Sequence, residues 1–469
     1  MFQLISNILH QFRGCFKRQK TWRWFAVLVI GLMFRSDHRG VTSVISSMRL
    51  MPRLYHAMLH YFRSTAYSVK DVYQTWIKLA LKYAAVVRIA DRVVVLGDHS
   101  KVPKEGLHMP GIQMLHQDSQ NSGKPSFIAG HTFGQVSAVI VNGTVSRSLP
   151  LITQMQNSPP KLENQKRDKE NSLVAQMLAL VHETALSIKE PVIAALDAYF
   201  SSEVAWSGAD RTMTAEGTKM VEIVTRGQTN TVAFTVPEPT TAKRRGQPRK
   251  YGNKITLHKL FSDMAKFERT QMILYGKRTD VAYLCLDLIW RPVKKLVRFV
   301  LAETNRGRCV LMSSSLSLPP EEIITIYALR FKIETSFDEQ KNDVGCFAYH
   351  FWTAALPKRK KRKKAEDPSD KSLKQKADLA CQAIESFVCL GTVTTGILTI
   401  IAFCHSHEIW QRYSGWLRTR RLSIPTAATV KSVFACDSHV ILPQISRFPH
   451  FRFLDSLLRH TDSFYHDVA

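Results

Sequence analysis

Four residues in the C-terminal half, Tyr327, Arg330, Glu334 and Lys341, stand at offsets of 0, 3, 7 and 14. In a helix advancing ~100° per residue they fall within roughly 60° of one another, so one stripe carries an aromatic hydroxyl, two cations and a carboxylate. Alone, Arg330 and Glu334 would be an ordinary i,i+4 surface pair worth ~0.3–0.5 kcal/mol. Two distant acids change that weighting. Asp98 closes the run Arg92-Val93-Val94-Val95-Leu96-Gly97, and Asp197 closes Pro191-Val192-Ile193-Ala194-Ala195-Leu196. If these runs are adjacent strands of one sheet, the two carboxylates stand side by side. They then repel unless a cation sits between them, and hard oxygen ligands suit Mg²⁺ or Mn²⁺. Glu334, on a helix crossing that sheet edge, supplies a third carboxylate, and a two-ion site of this kind performs in-line phosphoryl displacement. Asp287 and Glu303 also follow apolar runs, and Asp338 and Glu339 lie near Glu334, so these four compete for the same roles.

The elements that must position these residues follow from the apolar pattern. Residues 1 to about 85 repeat apolar residues at three- and four-residue spacing, with few turn signals before Pro52. Within residues 1–70 eleven Lys or Arg face a single acid, Asp37, an asymmetry that suits a helical domain facing DNA. From about 90 the texture becomes β-branched. Strands are expected at Arg92–Asp98, Ser126–Ala129, Gln135–Val141 and Leu149–Ile152. A polar loop at Gln154–Lys169, a helix at Ser172–Ile188 and the strand ending at Asp197 follow. Strands, then a helix and a further strand, open a ribonuclease-H-like fold, although strand–helix alternation alone fits many α/β folds. Residues 219 to about 312 are strand-rich and are interrupted by a basic loop, Lys243–Lys250, that holds Arg244, Arg245, Arg249 and Lys250. Helices are expected at Pro320–Lys341 and at about Leu373–Cys404. Between them the seven basic residues Lys358–Lys364 read as a solvent loop.

Composition narrows the partners. Of 469 residues, 45% are hydrophobic and 22% charged, which excludes wholesale disorder and a fibrous rod. The net charge of +27 points to a polyanion, of which nucleic acid is the commonest. Eight scattered cysteines, with no C-x-x-C, exclude a disulfide framework and a structural zinc site and suit a reducing cytosol. Trp24–Phe34 is apolar but lacks a cleavage site and is followed by Arg35 and Arg39, unlike a secretory signal. Phe387–Cys404 runs 18 residues without a charge, long enough to span a membrane. Its threonines and two glycines read instead as a buried core helix, and no membrane association is expected.

Tyr327-x2-Arg330-x3-Glu334-x6-Lys341 resembles the Y-R-E-K signature of DDE transposases of bacterial insertion sequences, the insertion-sequence-four-like group. Asp197-Ala198-Tyr199-Phe200 resembles that family's second-aspartate motif, Asp98 its first aspartate, and Gly130-His131 with Phe133-Gly134 the strand region beyond. The 137 residues between Asp197 and Glu334 leave room for the β-rich insertion that family carries. Two features depart from it. Asp98 is followed by His99-Ser100 in place of a Gly-Thr pair, and Arg245-Gly246-Gln247-Pro248-Arg249 has Gln247 where a minor-groove clamp has Arg. The loop therefore reads as a phosphate contact. Trp290 is the nearest candidate to hold a flipped base, and a core role is the stronger reading for it.

The resemblance implies an α/β protein with an RNase H-like catalytic core, a mixed sheet flanked by helices, plus a β-rich insertion and a basic helical N-terminal domain. The expected division is a DNA-binding domain at 1–88, core at 89–226, insertion at 227–312, core again at 313–404 with a basic loop at 357–372, and a helical region at 405–469. It further implies cleavage and strand transfer at terminal inverted repeats. Mg²⁺ or Mn²⁺ would be held by Asp98, Asp197 and Glu334, and DNA by Tyr327, Arg330, Lys341, Arg244, Arg245, Arg249 and Lys250. The partners implied are double-stranded DNA, as element ends and target, and a second copy in a synaptic homodimer; the place implied is the bacterial cytoplasm, at the nucleoid. A nuclease without strand transfer and a non-catalytic DNA-binding descendant are the alternatives, and the presence of all three acids argues against the second.

Overall fold

A computed structural model describes residues 1–37, 40–117, 126–157, 170–214, 217–238, 249–359, 371–416 and 422–458. The N-terminal apolar spacing produces helices, among them α1 (Gln19–Phe34), α2 (Tyr55–Phe62) and α3 (Val69–Tyr83). They pack on the sheet and do not stand apart from it. Trp76 of α3 donates its indole N–H to Pro150 O at 2.8 Å, and Tyr73 donates its hydroxyl to Thr153 O at 2.6 Å, so both polar tips are satisfied where the rings are buried.

The β-branched run at 92–98 forms β1, which continues past Asp98 and spans Arg92–Pro103. The two segments expected at 126–129 and 135–141 are one strand, β2 (Phe127–Asn142), paired antiparallel with β1 and with β3 (Val145–Gln156). Its glycines are not breaks. A Cβ at Gly130 would lie 2.2 Å from Val102 O, and one at Gly134 would lie 2.2 Å from Gln156 Nε2, so each serves close approach. After α4 (Leu173–Ile188), capped by Ser172, comes β4 (Val192–Ala195), parallel to β1, then β5 (Val221–Arg226), parallel to β4. The core order is β3-β2-β1-β4-β5, a mixed sheet flanked by helices.

Strands β6 (Glu268–Leu274), β7 (Lys277–Trp290), β8 (Lys295–Thr304) and β9 (Gly307–Ser313) form an antiparallel run. β9 pairs with β5, so the β-rich region extends the core sheet to 13 strands among the described residues. Trp290 is 6% exposed and packs edge-on against Trp206, a core residue. The helix expected at 320–341 is broken into α5 (Pro320–Leu329) and α6 (Lys332–Asp338), followed by a π-helical turn at Glu339–Val344. The basic run is not wholly solvent-exposed either. Arg359 is 9% exposed and its backbone N–H donates to Leu107 O at 2.8 Å, which docks the start of the run; residues 360–370 lie outside the described residues.

The last long helix, α7 (Lys371–Cys404), is long and apolar enough to cross a membrane, yet 89% of its most apolar stretch is buried inside the protein. It packs on β3, α1, α3 and α8 (Ala427–Cys436). Thr392, Thr394, Thr395 and Thr399 each donate to the carbonyl four residues earlier, at 2.7–2.9 Å. One carboxyl is carried into this core. Glu385 Oε1 accepts from Met155 N at 2.8 Å, Oε2 is buried without a partner in the described structure, and burial pushes the group up to about 8.

The folded state therefore holds a proton that the unfolded chain, with its carboxyl near 4.5, has released. The resulting stabilisation is complete below that pH and is lost as pH rises toward about 8, by up to ~1.4 kcal/mol per unit. Glu385→Gln keeps the acceptor and removes the proton. Urea midpoints between pH 5 and 8.5 should fall less steeply for this variant than for the parent chain, with the variant the more stable at the alkaline end. Parallel curves would refute the buried neutral carboxyl.

Candidate active site

β1 and β4 run in register from Val93–Val192 to Leu96–Ala195, and the pairing ends there. Asp98 and Asp197 each stand two residues beyond that last pair, so both acids are brought to the same opening in the sheet. Asp98 is held by β1, which continues paired to β2 alone. Asp197 opens a 3₁₀ turn at Ala198–Phe200, its Oδ1 accepting from Tyr199 N at 2.9 Å. Burial first, and Asp197 second, push the Asp98 carboxyl up to about 6, against the pull of Arg330 and the His99 N–H. Asp197 is also raised, chiefly by burial, with Tyr199 N and Arg330 acting in the opposite sense.

Arg330 answers this crowding. At the break between α5 and α6 the backbone bonds span three residues, Arg330 N to Tyr327 O and Ile333 N to Arg330 O. From this turn Arg330 Nη1 donates to Asp98 Oδ2 at 3.1 Å and Nη2 to Glu334 Oε1 at 2.9 Å. The side chains of Arg330 and Asp98 are 16% and 19% exposed, whereas Glu334 is 46% exposed and is the partner with most freedom to move. Burial opposes the guanidinium charge, and Asp98, Tyr327 and Glu334 outweigh it. Tyr327 is partly buried, which raises its phenol, and it lies within electrostatic reach of Arg330, Arg226 and Asp197. Lys341 Nζ donates to Ser100 Oγ at 2.5 Å, two residues along β1 from Asp98, and burial lowers its ammonium.

The replacements for the expected Gly-Thr pair have visible work. His99 N donates to Asp98 Oδ1 at 2.7 Å, and its ring stacks on Phe200 at 5.3 Å with Nε2 at 2.6 Å from Gln156 Oε1. Burial lowers the imidazole to about 4, so it stays neutral beside the acids. His131 is also neutral and buried. Its Nε2 faces Pro110 O at 2.8 Å and must carry the proton, leaving Nδ1 to accept from the Tyr349 hydroxyl at 2.6 Å.

The competing acids are engaged elsewhere. Asp287 makes a two-bond pair with Arg298, Glu303 pairs with Arg308, Asp338 accepts from Asn342, and Glu339 lies 4.0 Å from Arg147. Arg249 and Lys250 are exposed and bond to none of the three acids among the described residues; Arg244 and Arg245 lie outside those residues.

A residue not singled out from sequence links the parts. Gln135 lies directly opposite Asp98 in the β1–β2 ladder, so the two side chains share a face. It donates to Ser336 Oγ of α6 at 2.9 Å and to Ser137 Oγ at 2.7 Å, and accepts from Gln340 Nε2 at 2.9 Å. All four are within 1% of full burial. The available signal is an amide at the head of the expected strand segment Gln135–Val141, which lies inside β2.

Parallel β1, β4 and β5 with antiparallel β2 and β3, and acids at the opening, define the RNase H-like class. Residues 11–272, more than half of the chain, match the family described as DDE superfamily endonuclease, and the chain belongs to it. No curated protein matches the chain. Membership implies metal-dependent cleavage of DNA. The matched stretch takes in Asp98 and Asp197 and ends before Glu334.

Among the described residues no three His, Cys, Asp or Glu side chains are grouped to hold an ion as they stand. The guanidinium of Arg330 occupies the space between Asp98 and Glu334. The donor chemistry nonetheless fits a hard divalent cation: three carboxylates, two of them raised by burial with Asp197 adding its repulsion at Asp98, against one neighbouring positive charge.

Gln135→Met should orphan Ser336 and Gln340 and destabilise the fold by ~1–3 kcal/mol. Adding Gln340→Met to it should cost less than the sum of the two single changes, because both groups of one bond are then removed. Strictly additive denaturation energies would show that the two amides do not share a network.

Proposed function

We propose that the chain is a transposase of the insertion-sequence-four-like group that cuts and joins DNA at the terminal inverted repeats of its own element. The observation that carries this reading is the Arg330 bridge from Asp98 to Glu334, with Asp197 beside it on the neighbouring parallel strand. Asp98, Asp197 and Glu334 would hold Mg²⁺ or Mn²⁺, which supplies a polarised hydroxyl nucleophile and shields the leaving oxygen. Glu334 swings inward, because it is the exposed partner. Arg330 then gives up its carboxylates and turns to a backbone phosphate, while Lys341 and Ser100 fix the next phosphate along β1. Tyr327 contacts a phosphate or displaced nucleotide. The basic helices of 1–88 and the loop with Arg244, Arg245, Arg249 and Lys250 hold the duplex outside the site, and a second copy completes a synaptic complex at the nucleoid. Catalysis is then positioning and charge stabilisation.

Purified protein incubated with element-end DNA and Mg²⁺ should nick at the repeat and yield joined products; nicks without joining would leave a nuclease. Asp197→Asn should abolish cleavage and leave DNA binding intact, since it removes a metal ligand and no phosphate partner. Lys341→Ala should slow cleavage about ten-fold or more, because a ~1 Å misplacement of the scissile phosphate can cost about a hundred-fold. Its log-affinity against log-salt slope should change by no more than ~0.9, the equivalent of a single neutralised phosphate. Normal cleavage by Lys341→Ala would remove Lys341 from the site.

A further inference from the structure

Away from the acids, a groove of about 640 Å³ opens where α2 and α7 meet the segment at 349–354. Its walls are aromatic: Tyr55 from α2, Phe351 and Trp352 from the segment, and Phe387 from α7. Trp352 is 58% exposed, a large flat ring presented to solvent. Arg63 at the end of α2 and Lys376 on α7 are exposed at the rim. A second recess, sharing Leu59, Arg63 and Phe351 with the first, adds His56 and His60. Among the described residues no Asp or Glu lines either recess.

The groove is tied to the acids through β1. Asp98 and Ser100 lie on β1, and Lys104 is the first residue beyond its end at Pro103, its N–H donating to Ala129 O of β2 at 2.9 Å. Lys104 Nζ donates to Phe347 O at 2.5 Å and Tyr349 O at 3.1 Å, and stands 3.9 Å over the ring of Tyr349, which itself lines the groove. Six residues at ~3.3 Å each put this anchor ~20 Å from Asp98. β1 thus runs from the acids to the residue that holds Tyr349, one wall of the recess.

We propose that this groove binds an unpaired stretch of DNA strand, with bases stacked on Trp352 and Tyr55 and phosphates on Arg63 and Lys376. The proposal rests on DNA being the substrate. A duplex hides its base faces and offers phosphates, which an aromatic recess cannot use. An unpaired strand offers both flat faces and charge, and stacking of this kind tolerates any sequence.

The test is anisotropy of a labelled mixed-sequence single strand, the same sequence as duplex, and an abasic strand of equal length, all without divalent metal. Trp352→Ala should weaken the single strand at least about five-fold and leave duplex and abasic strand within about two-fold. Trp352→Phe should retain most of the affinity. Arg63→Gln with Lys376→Gln should weaken normal and abasic strands alike and lower the salt slope by ~0.7 for each phosphate no longer neutralised. Unchanged single-strand affinity in Trp352→Ala, or an equal loss for duplex or abasic strand, overturns the proposal. Because no cleavage is needed, a chain that shows the Trp352 dependence but never cuts DNA would sink the catalytic reading alone, and a chain that cuts without it would sink this one alone.

Discussion

Parallel pairing of β1 with β4 forces two carboxylates into one opening, and the rest of the site is arranged around that repulsion. The register ends at Leu96–Ala195, so neither acid has a ladder neighbour on the other strand to separate them. Each accepts a backbone N–H that favours its charged form, Asp98 from His99 N and Asp197 from Tyr199 N. The remaining charge is met by Arg330, which bonds Asp98 while keeping its i,i+4 pair with Glu334. The tight turn at Arg330–Phe331 places the guanidinium between Glu334 and Asp98, at the cost of leaving Phe331 54% exposed.

Polar bonds hold this helical element in addition to its buried Ile333 and Phe337. Gln135 grips α6 through Ser336 and the π-helical turn through Gln340, directly across the ladder from Asp98. Lys341 reaches Ser100. At the far end Arg35, fully buried, donates to Val344 O at 2.7 Å and Gly345 O at 2.9 Å. Carbonyls at a helix C-terminus carry partial negative charge, so they are fitting partners for a buried cation. Arg35 follows α1, so the N-terminal helices and the element bearing Glu334 are joined by a charge-assisted hydrogen bond as well as by packing.

Much of this was legible as pattern. β-branched runs ending in Asp98 and Asp197, the helix expected at Ser172–Ile188 and the threonine-rich core helix all express local rules, and each element formed where those rules put it. What local rules could not supply was extent and context. Gly130 and Gly134 read as punctuation within a strand, yet they admit Val102 O and the Gln156 side chain, neighbours that lie far along the chain. The bond from Arg330 to Asp98 is likewise invisible in helix periodicity, because the acid lies 232 residues away. The burial of Arg359 depends on a carbonyl at Leu107. Gln135 was visible as a polar residue in an apolar strand, but its partners were not.

α7 shows why composition alone could not settle its own surroundings. A threonine that bonds back to its own helix is satisfied in lipid or in protein, so four such bonds discriminate nothing. The glycines do. A Cβ at Gly396 would stand 2.0 Å from the Trp76 ring, and one at Gly391 would stand 2.5 Å from Cys346 Sγ. Each glycine is matched to one protruding side chain from another element, a complementarity that fluid acyl chains neither require nor reward. Glu385 adds a carboxyl aimed at a single backbone N–H of β3. Over 386–402 the helix is apolar because it is surrounded by protein, whereas its first turns, 371–376, are largely polar and exposed.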